Sequence, residues 1–368
     1  MFIIPSRKGA LCAAAALVIG FGAARAQDVP AGYPSDYGAM IEAAKSEGAV
    51  SIYTSTDGAQ AQALLDAFTA RYPSIKIEYN DLGTNGTYNR VISEAAAGQV
   101  GADIVWSSAM DLQMMLAADG YTDSYASPEA KSLPDWAKYK DTLYSTTVEP
   151  IGMIYNTKAL AESSVPKTRA DLIQFLIDNK DKLQGRIASF DPEKSGSGFL
   201  HHTNDARATT TFWDLAKAFG VIGGRTYSSS GSMKETVVSG ENVLAFNIIG
   251  SYALDWVKQS PNLGVAFGTD YTAAFSRVAT IAKDAPHPNA AKLFLDFLLS
   301  REGQNALAAS GLPSVRTDVD KGFNLATLNE RVGGNLKPIG LDEGLLEFMK
   351  PQNRVDFLNR WKAALAGS

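Results

Sequence analysis

Between residues 49 and 108 the apolar positions alternate between two spacings. Residues 49–55 (AVSIYTS) are β-rich, and Ala61, Leu64, Leu65, Phe68 and Tyr72 then recur at helical spacing until Pro73 stops them. Ile75, Ile77 and Tyr79 alternate with polar neighbours as a second strand, and Tyr88, Val91, Ile92 and Ala95 form a second helical face. Residues 102–108 (ADIVWSS) make a third strand. Strand, helix, strand, helix, strand with short connections predicts a mostly parallel sheet.

A second unit of this kind follows. Residues 186–192 (RIASFDP) read as a strand, a Gly/Ser-rich loop comes next, 211–219 are helical, and 242–252 (NVLAFNIIGSY) form a buried strand running into a helix near Leu254. Between the units, residues 145–160 are extended and apolar, with Pro150 and Gly152 in the middle, and read as a first crossing between lobes. A second crossing is expected near 265–281, where β-type residues return. An amphipathic helix follows, with Ala291, Phe294, Leu295 and Leu298 on its apolar face, and 324–366 are helical with breaks at Gly333, Gly334 and Pro338. The expected architecture is α/β: two lobes, each a mostly parallel sheet flanked by helices, joined by two crossing strands. Residues 27–147 plus 270–320 make the first lobe and 148–269 plus 321–368 the second. About 340 residues exceed what one core usually supports.

The N-terminus changes the picture. Arg7 and Lys8 precede an apolar run over residues 11–21, and Ala24-Arg25-Ala26 is a small-x-small cleavage site, so residues 1–26 read as a secretory signal. Gly20 and Gly22 interrupt that run, which is short for a membrane span. Removing it takes away Arg7, Lys8 and Arg25, leaving 34 − 3 = 31 basic against 39 acidic residues. That balance argues against nucleic acid as a partner. Cys12 is the single cysteine and lies in the signal, so the exported product has no disulfide, zinc-cysteine site, iron–sulfur cluster or cysteine nucleophile.

Open parallel sheets bind ligands beyond the carboxyl ends of their strands, where loops and helix N-termini converge. The loops expected there carry Ser55, Thr56 and Asp57; Gly83, Thr84 and Asn85; and Ser107 and Ser108 in the first lobe. The second lobe offers Ser195, Gly196 and Ser197, then Asn247, Ser251 and Tyr252, with Tyr271 near the second crossing. Glycine admits close backbone approach, hydroxyls add hydrogen bonds, and helix N-termini favour anions. The same residue types are ordinary helix caps, and the Asp57 carboxylate opposes an anionic ligand. No catalytic residue, metal ligand or cofactor is expected. His201-His202 lacks metal-helix spacing and reads as a surface pair, and neither G-x-S-x-G nor a Walker loop occurs.

The stretches VSIYTSTDG, LLDAFTARYPSIKIEY, ISEAAAGQVGADIVWSS, GYTDSY, IYNTKAL, DPEKSGSG and APHPNAAKLFLDFLLSREGQNALA together resemble the extracellular solute-binding proteins of the type II periplasmic binding fold, in the branch containing ferric-iron binders. The resemblance runs from about Val50 to Val319. The resemblance implies a monomeric periplasmic protein that captures a small solute between its lobes and delivers it to an inner-membrane ABC permease. Iron-binding members carry paired tyrosines late in the second lobe and a histidine in the first strand-end loop. Here GSYALDW has only Tyr252, and YTSTDG has no histidine. Ferric iron wants phenolate or carboxylate oxygens, whereas these loops are mainly neutral hydroxyls and amides. An organic or oxyanion-bearing solute, such as a phosphonate or sugar phosphate, is expected over iron.

Overall fold

The computed structural model describes Met1 and residues 29–367, so the expected export signal, its cleavage site and Cys12 lie outside the described residues. Helix α1 (Tyr37–Glu47) opens the first lobe and ends at Gly48, whose φ of 73° turns its N–H onto the Ala44 carbonyl. Only glycine takes that left-handed conformation at little cost. Then come β1 (Ala49–Thr54), α2 (Gly58–Arg71), β2 (Lys76–Asp81), α3 (Gly83–Ala96), β3 (Ile104–Ser107), α4 (Met110–Ala118), β4 (Thr122–Asp123), β5 (Lys138–Tyr139) and β6 (Leu143–Ser145). The chain passes through residues 146–148 into β7 (Glu149–Asn156) of the second lobe.

The second lobe adds α5 (Arg169–Asp178), β8 (Ile187–Phe190), α6 (Gly196–Ala208), α7 (Phe212–Val221), β9 (Arg225–Tyr227), α8 (Ser230–Ser239), β10 (Leu244–Ile249), α9 (Gly250–Gln259), β11 (Leu263–Ala266) and β12 (Thr272–Phe275). Ser276 and Arg277 carry the chain back to β13 (Val278–Ala282), α10 (Pro288–Leu299) and α11 (Arg301–Ala309) of the first lobe. The tail forms α12 (Leu325–Arg331), β14 (Leu336–Pro338), which pairs with β12, and α13 (Pro351–Leu365).

The two sheets run β2-β1-β3-β13-β6-β5, with β4 on β13, and β14-β12-β7-β10-β8-β9, with β11 on β7. Within each strand–helix–strand unit the pairing is parallel: β1 with β2 and β3, and β8 with β10 and β9. The strands flanking the crossings are antiparallel to their neighbours, β13 to β3 and β7 to β10 and β12, so each sheet is mixed. A chain that enters a lobe from its partner arrives without the helical crossover that enforces parallel pairing. The core of the first lobe packs α2 against α10 through Phe68, Phe294 and Phe297, with ring centroids 5.1 and 5.4 Å from Phe68. A second core gathers Phe199, Phe212, Phe219, Phe357 and Trp361.

Helix α6 departs from the sequence pattern, which places a glycine-rich loop there. Ser195 caps it by accepting the Gly198 N–H at 3.1 Å, and that bond offsets the backbone entropy that glycine loses in a helix. Its first eight residues are all buried. A Cβ at Gly198 would lie 2.6 Å from Cβ of Phe190, so the glycine also permits close packing of α6 on β8.

Candidate functional site

Helices α2, α3 and α4 of the first lobe and α6 and α9 of the second all begin at strand-end loops where the lobes meet. Partial positive charge and free backbone N–H groups therefore collect between them. Ser55 Oγ lies 3.3 Å from Ser107 Oγ and 3.2 Å from Ser108 Oγ, and accepts the Ser108 N–H at 3.0 Å. Thr56 is wholly buried, and its carbonyl accepts the Tyr79 hydroxyl at 2.6 Å. Asp57 precedes α2, and Gly83, with a φ of 66°, opens α3.

Three contacts close the cleft directly. The Gly196 N–H donates to Thr84 Oγ1 at 3.0 Å, Asn85 Nδ2 donates to the Lys194 carbonyl at 3.2 Å, and the Ser108 and Ser197 hydroxyls lie 2.9 Å apart. A Cβ at Gly196 would stand 3.0 Å from Thr84 Oγ1, Asn85 Oδ1 and Leu112 Cδ1, so a glycine permits this approach. Ser195, rather than facing the other lobe, is occupied as the α6 cap.

Beneath these loops lies a buried ion pair missed by motif reading. Arg277, in the second crossing, donates through Nε to Glu149 Oε1 at 2.8 Å and through Nη2 to Glu149 Oε2 at 3.3 Å. Both side chains are essentially inaccessible to water. Arg277 Nη1 also donates to Thr56 Oγ1 at 3.0 Å, while the Ser251 hydroxyl donates to Glu149. The pair thus ties a first-lobe loop to the start of α9 through both crossings. The guanidinium sits 5.1 Å from the Tyr252 ring centre. The Tyr252 hydroxyl is buried without a hydrogen-bond partner among the described residues, and burial raises its pKa, so it remains a donor. A lone glutamate and a lone arginine in otherwise apolar extended stretches were the available signal for this pair.

Two of the expected site residues lie elsewhere. Asn247 sits in a bulge of β10 with a φ of 61°, and Tyr271 donates its hydroxyl to Asp205; both line a cavity inside the second lobe. The His201-His202 pair is a correction: both rings are buried, not on the surface. His201 Nδ1 lies 3.0 Å from the Asn247 carbonyl, and His202 Nε2 lies 3.1 Å from the Phe190 carbonyl. Burial lowers their pKa values to about 3 and about 4, so both are neutral near pH 7. Among the described residues no group of three or more His, Cys, Asp or Glu is arranged to hold a metal ion.

Two lobes, two mixed sheets, paired crossings and helix N-termini facing a common cleft define a two-lobed binding protein of the type II periplasmic fold. Residues 54–305 match the model of the family described as bacterial extracellular solute-binding protein, and the chain belongs to that non-catalytic family. It is similar to the substrate binding protein of an ABC transporter from Agrobacterium tumefaciens, at 33% identity with a TM-score of 0.82, over 86% of this chain and 94% of that one. The periplasmic binding protein AfuA from Actinobacillus pleuropneumoniae, solved with fructose-6-phosphate bound, shares the fold at 21% identity and a TM-score of 0.71, over 87% and 99% of the two chains. Iron-bound HitA from Pseudomonas aeruginosa does so at 19% and 0.66, over 86% and 99%.

Proposed function

We propose that this protein is exported, loses residues 1–26, and as a periplasmic monomer captures a small organic solute bearing an oxyanion, such as a phosphonate or sugar phosphate, for an inner-membrane ABC permease. The observation that carries the reading is the convergence of five helix N-termini and a cluster of serine hydroxyls on one cleft. Such a site holds negative charge by hydrogen bonds and dipoles. The Glu149 carboxylate cancels the buried Arg277, so neutral donors must do most of this work. Ser55, Thr56, Ser108, Ser197 and Tyr252 are the proposed contacts, and the lobes close about residues 146–148 and 276–277. Support comes also from the transporter assignment of the Agrobacterium relative and from the sugar phosphate in AfuA. The single Tyr252 in GSYALDW, and a first loop without histidine, favour this solute class over ferric iron.

A melting-temperature screen over phosphonates, sugar phosphates, organic acids, polyamines and ferric salts tests the reading. A ligand at 100 times its Kd should stabilise by ~2.7 kcal/mol. Stabilisation by ferric iron or polyamines, with none by any oxyanion, overturns the solute class. N-terminal sequencing of exported protein should begin at Gln27, and material beginning at Met1 overturns the processing.

A further inference from the structure

Inside the second lobe, away from the cleft, a cavity of about 70 Å³ lies between the start of α5, the middle of α6 and strands β10 and β12. At about 10–15 Å³ for each water-sized position, it has room for on the order of five heavy atoms. Its apolar wall includes Met153, Leu172 and Leu215. In its polar wall Arg169 and Asp205 neutralise each other, and two buried hydrogen-bonding atoms stay unused. Arg169 forks onto Asp205, which also accepts the Tyr271 hydroxyl. Asp270, at the exposed mouth, accepts the backbone N–H groups of Arg169 and Tyr271.

The Arg169 Nε–H has no acceptor among the described residues and is shut off from bulk water. His201 faces the Asn247 carbonyl through Nδ1, and because a carbonyl can only accept, the proton sits on Nδ1 and Nε2 is a bare acceptor. Nε2 likewise has no partner among the described residues and is shut off from bulk water. Asn247 turns that carbonyl toward His201 by adopting a left-handed backbone in a buried bulge, a conformation that asparagine tolerates better than most residues other than glycine. Asn204, also on the wall, is half-buried, and its amide makes no hydrogen bond among the described residues.

We propose that this cavity is a second binding site, for a small uncharged polyol, in which a ligand hydroxyl accepts from Arg169 Nε and donates to His201 Nε2 while Asn204 meets a second hydroxyl. The fully buried unused atoms are one donor and one acceptor, and a hydroxyl is the simplest group that answers both. A carboxylate would bring a lone pair against Nε2 and charge against Asp205. An ammonium has no lone pair with which to accept the Arg169 Nε–H. The proposal is independent of the solute assigned to the interlobe cleft.

The test is methyl NMR of full-length protein labelled at methionine and leucine, titrated with glycerol. Saturable shifts are expected at Met153, Leu172 and Leu215. Ser197→Ala should leave them unchanged, and Asn204→Phe, which fills the cavity, should weaken them at least tenfold; Leu172→Phe, read at Met153 and Leu215, serves if the first variant does not fold. Acetate and ethylammonium should give no saturable shift. Shifts that rise linearly with glycerol, that survive both filling variants, or that saturate equally with either charged probe overturn the proposal.

Discussion

Glu149→Gln should be among the most damaging single substitutions in the second lobe. The change keeps shape and volume but removes the charge that receives two N–H bonds from Arg277, at 2.8 and 3.3 Å. Arg277 cannot shed its proton or reach water, since its side chain is only 1% exposed. Removing one partner of a buried ion pair leaves an uncompensated charge and costs ~3–5 kcal/mol. The Thr147 hydroxyl, 2.8 Å from Glu149, and the Ser251 hydroxyl also lose a charged acceptor. Replacing both partners, as in Glu149→Leu with Arg277→Met, removes the stranded charge along with the pair. It should cost less than Glu149→Gln alone, about 1–3 kcal/mol, because Thr56, Thr147 and Ser251 still lose a partner. Urea unfolding followed by circular dichroism and tryptophan fluorescence measures each variant, and Arg277→Met with Glu149→Leu completes the double-mutant cycle. A cost below 1 kcal/mol for Glu149→Gln, or single-variant costs that simply add in the double variant, would refute the assignment of this pair as a buried, coupled tie between the crossings.

Three further outcomes are expected. Ser197→Ala should weaken binding of the cleft solute about 10- to 150-fold, through loss of ~1.5–3 kcal/mol, while the variant stays folded; unchanged affinity by calorimetry removes Ser197 from the site. His201 has a folded pKa of about 3 against 6.5 unfolded, so the unfolded chain takes up the proton first and stability is lost as pH falls from 6.5 toward 3. Relative to wild type, His201→Gln should therefore lose roughly 2–3 kcal/mol less between pH 6.5 and 4.5 in urea unfolding, and parallel pH profiles would contradict this. Gly303→Ala should destabilise by ~1–3 kcal/mol, because its Cβ would overlap the Phe297 carbonyl oxygen at the tight α10–α11 junction; an unchanged urea midpoint would count against that packing.

The amino-acid pattern alone determined the parts of the protein that rest on local spacing. Apolar periodicity around Leu64 and Phe68, the break at Pro73, and the extended run through Pro150 identify elements because a helix or strand reveals itself within a few residues. The hydroxyl-rich loops at strand ends were legible for the same reason, and Ser108, Ser197, Thr84 and Gly196 do come together. Helix α6 was not legible, because Gly196 and Gly198 carry a loop signal that the Ser195 cap and close packing on Phe190 override. The burial of His201 and His202 was hidden likewise, since neighbouring polar residues look exposed until a bulge and a carbonyl are supplied from β8 and β10. Tertiary structure alone decided that Arg277 pairs with Glu149, 128 residues away, and that Asn247 and Tyr271 line a cavity apart from the cleft. Local propensity carries no information about partners so distant in sequence. They are selected by the cost of leaving a charge or a hydrogen-bonding group buried without one, and that cost exists only once the two lobes have folded around it.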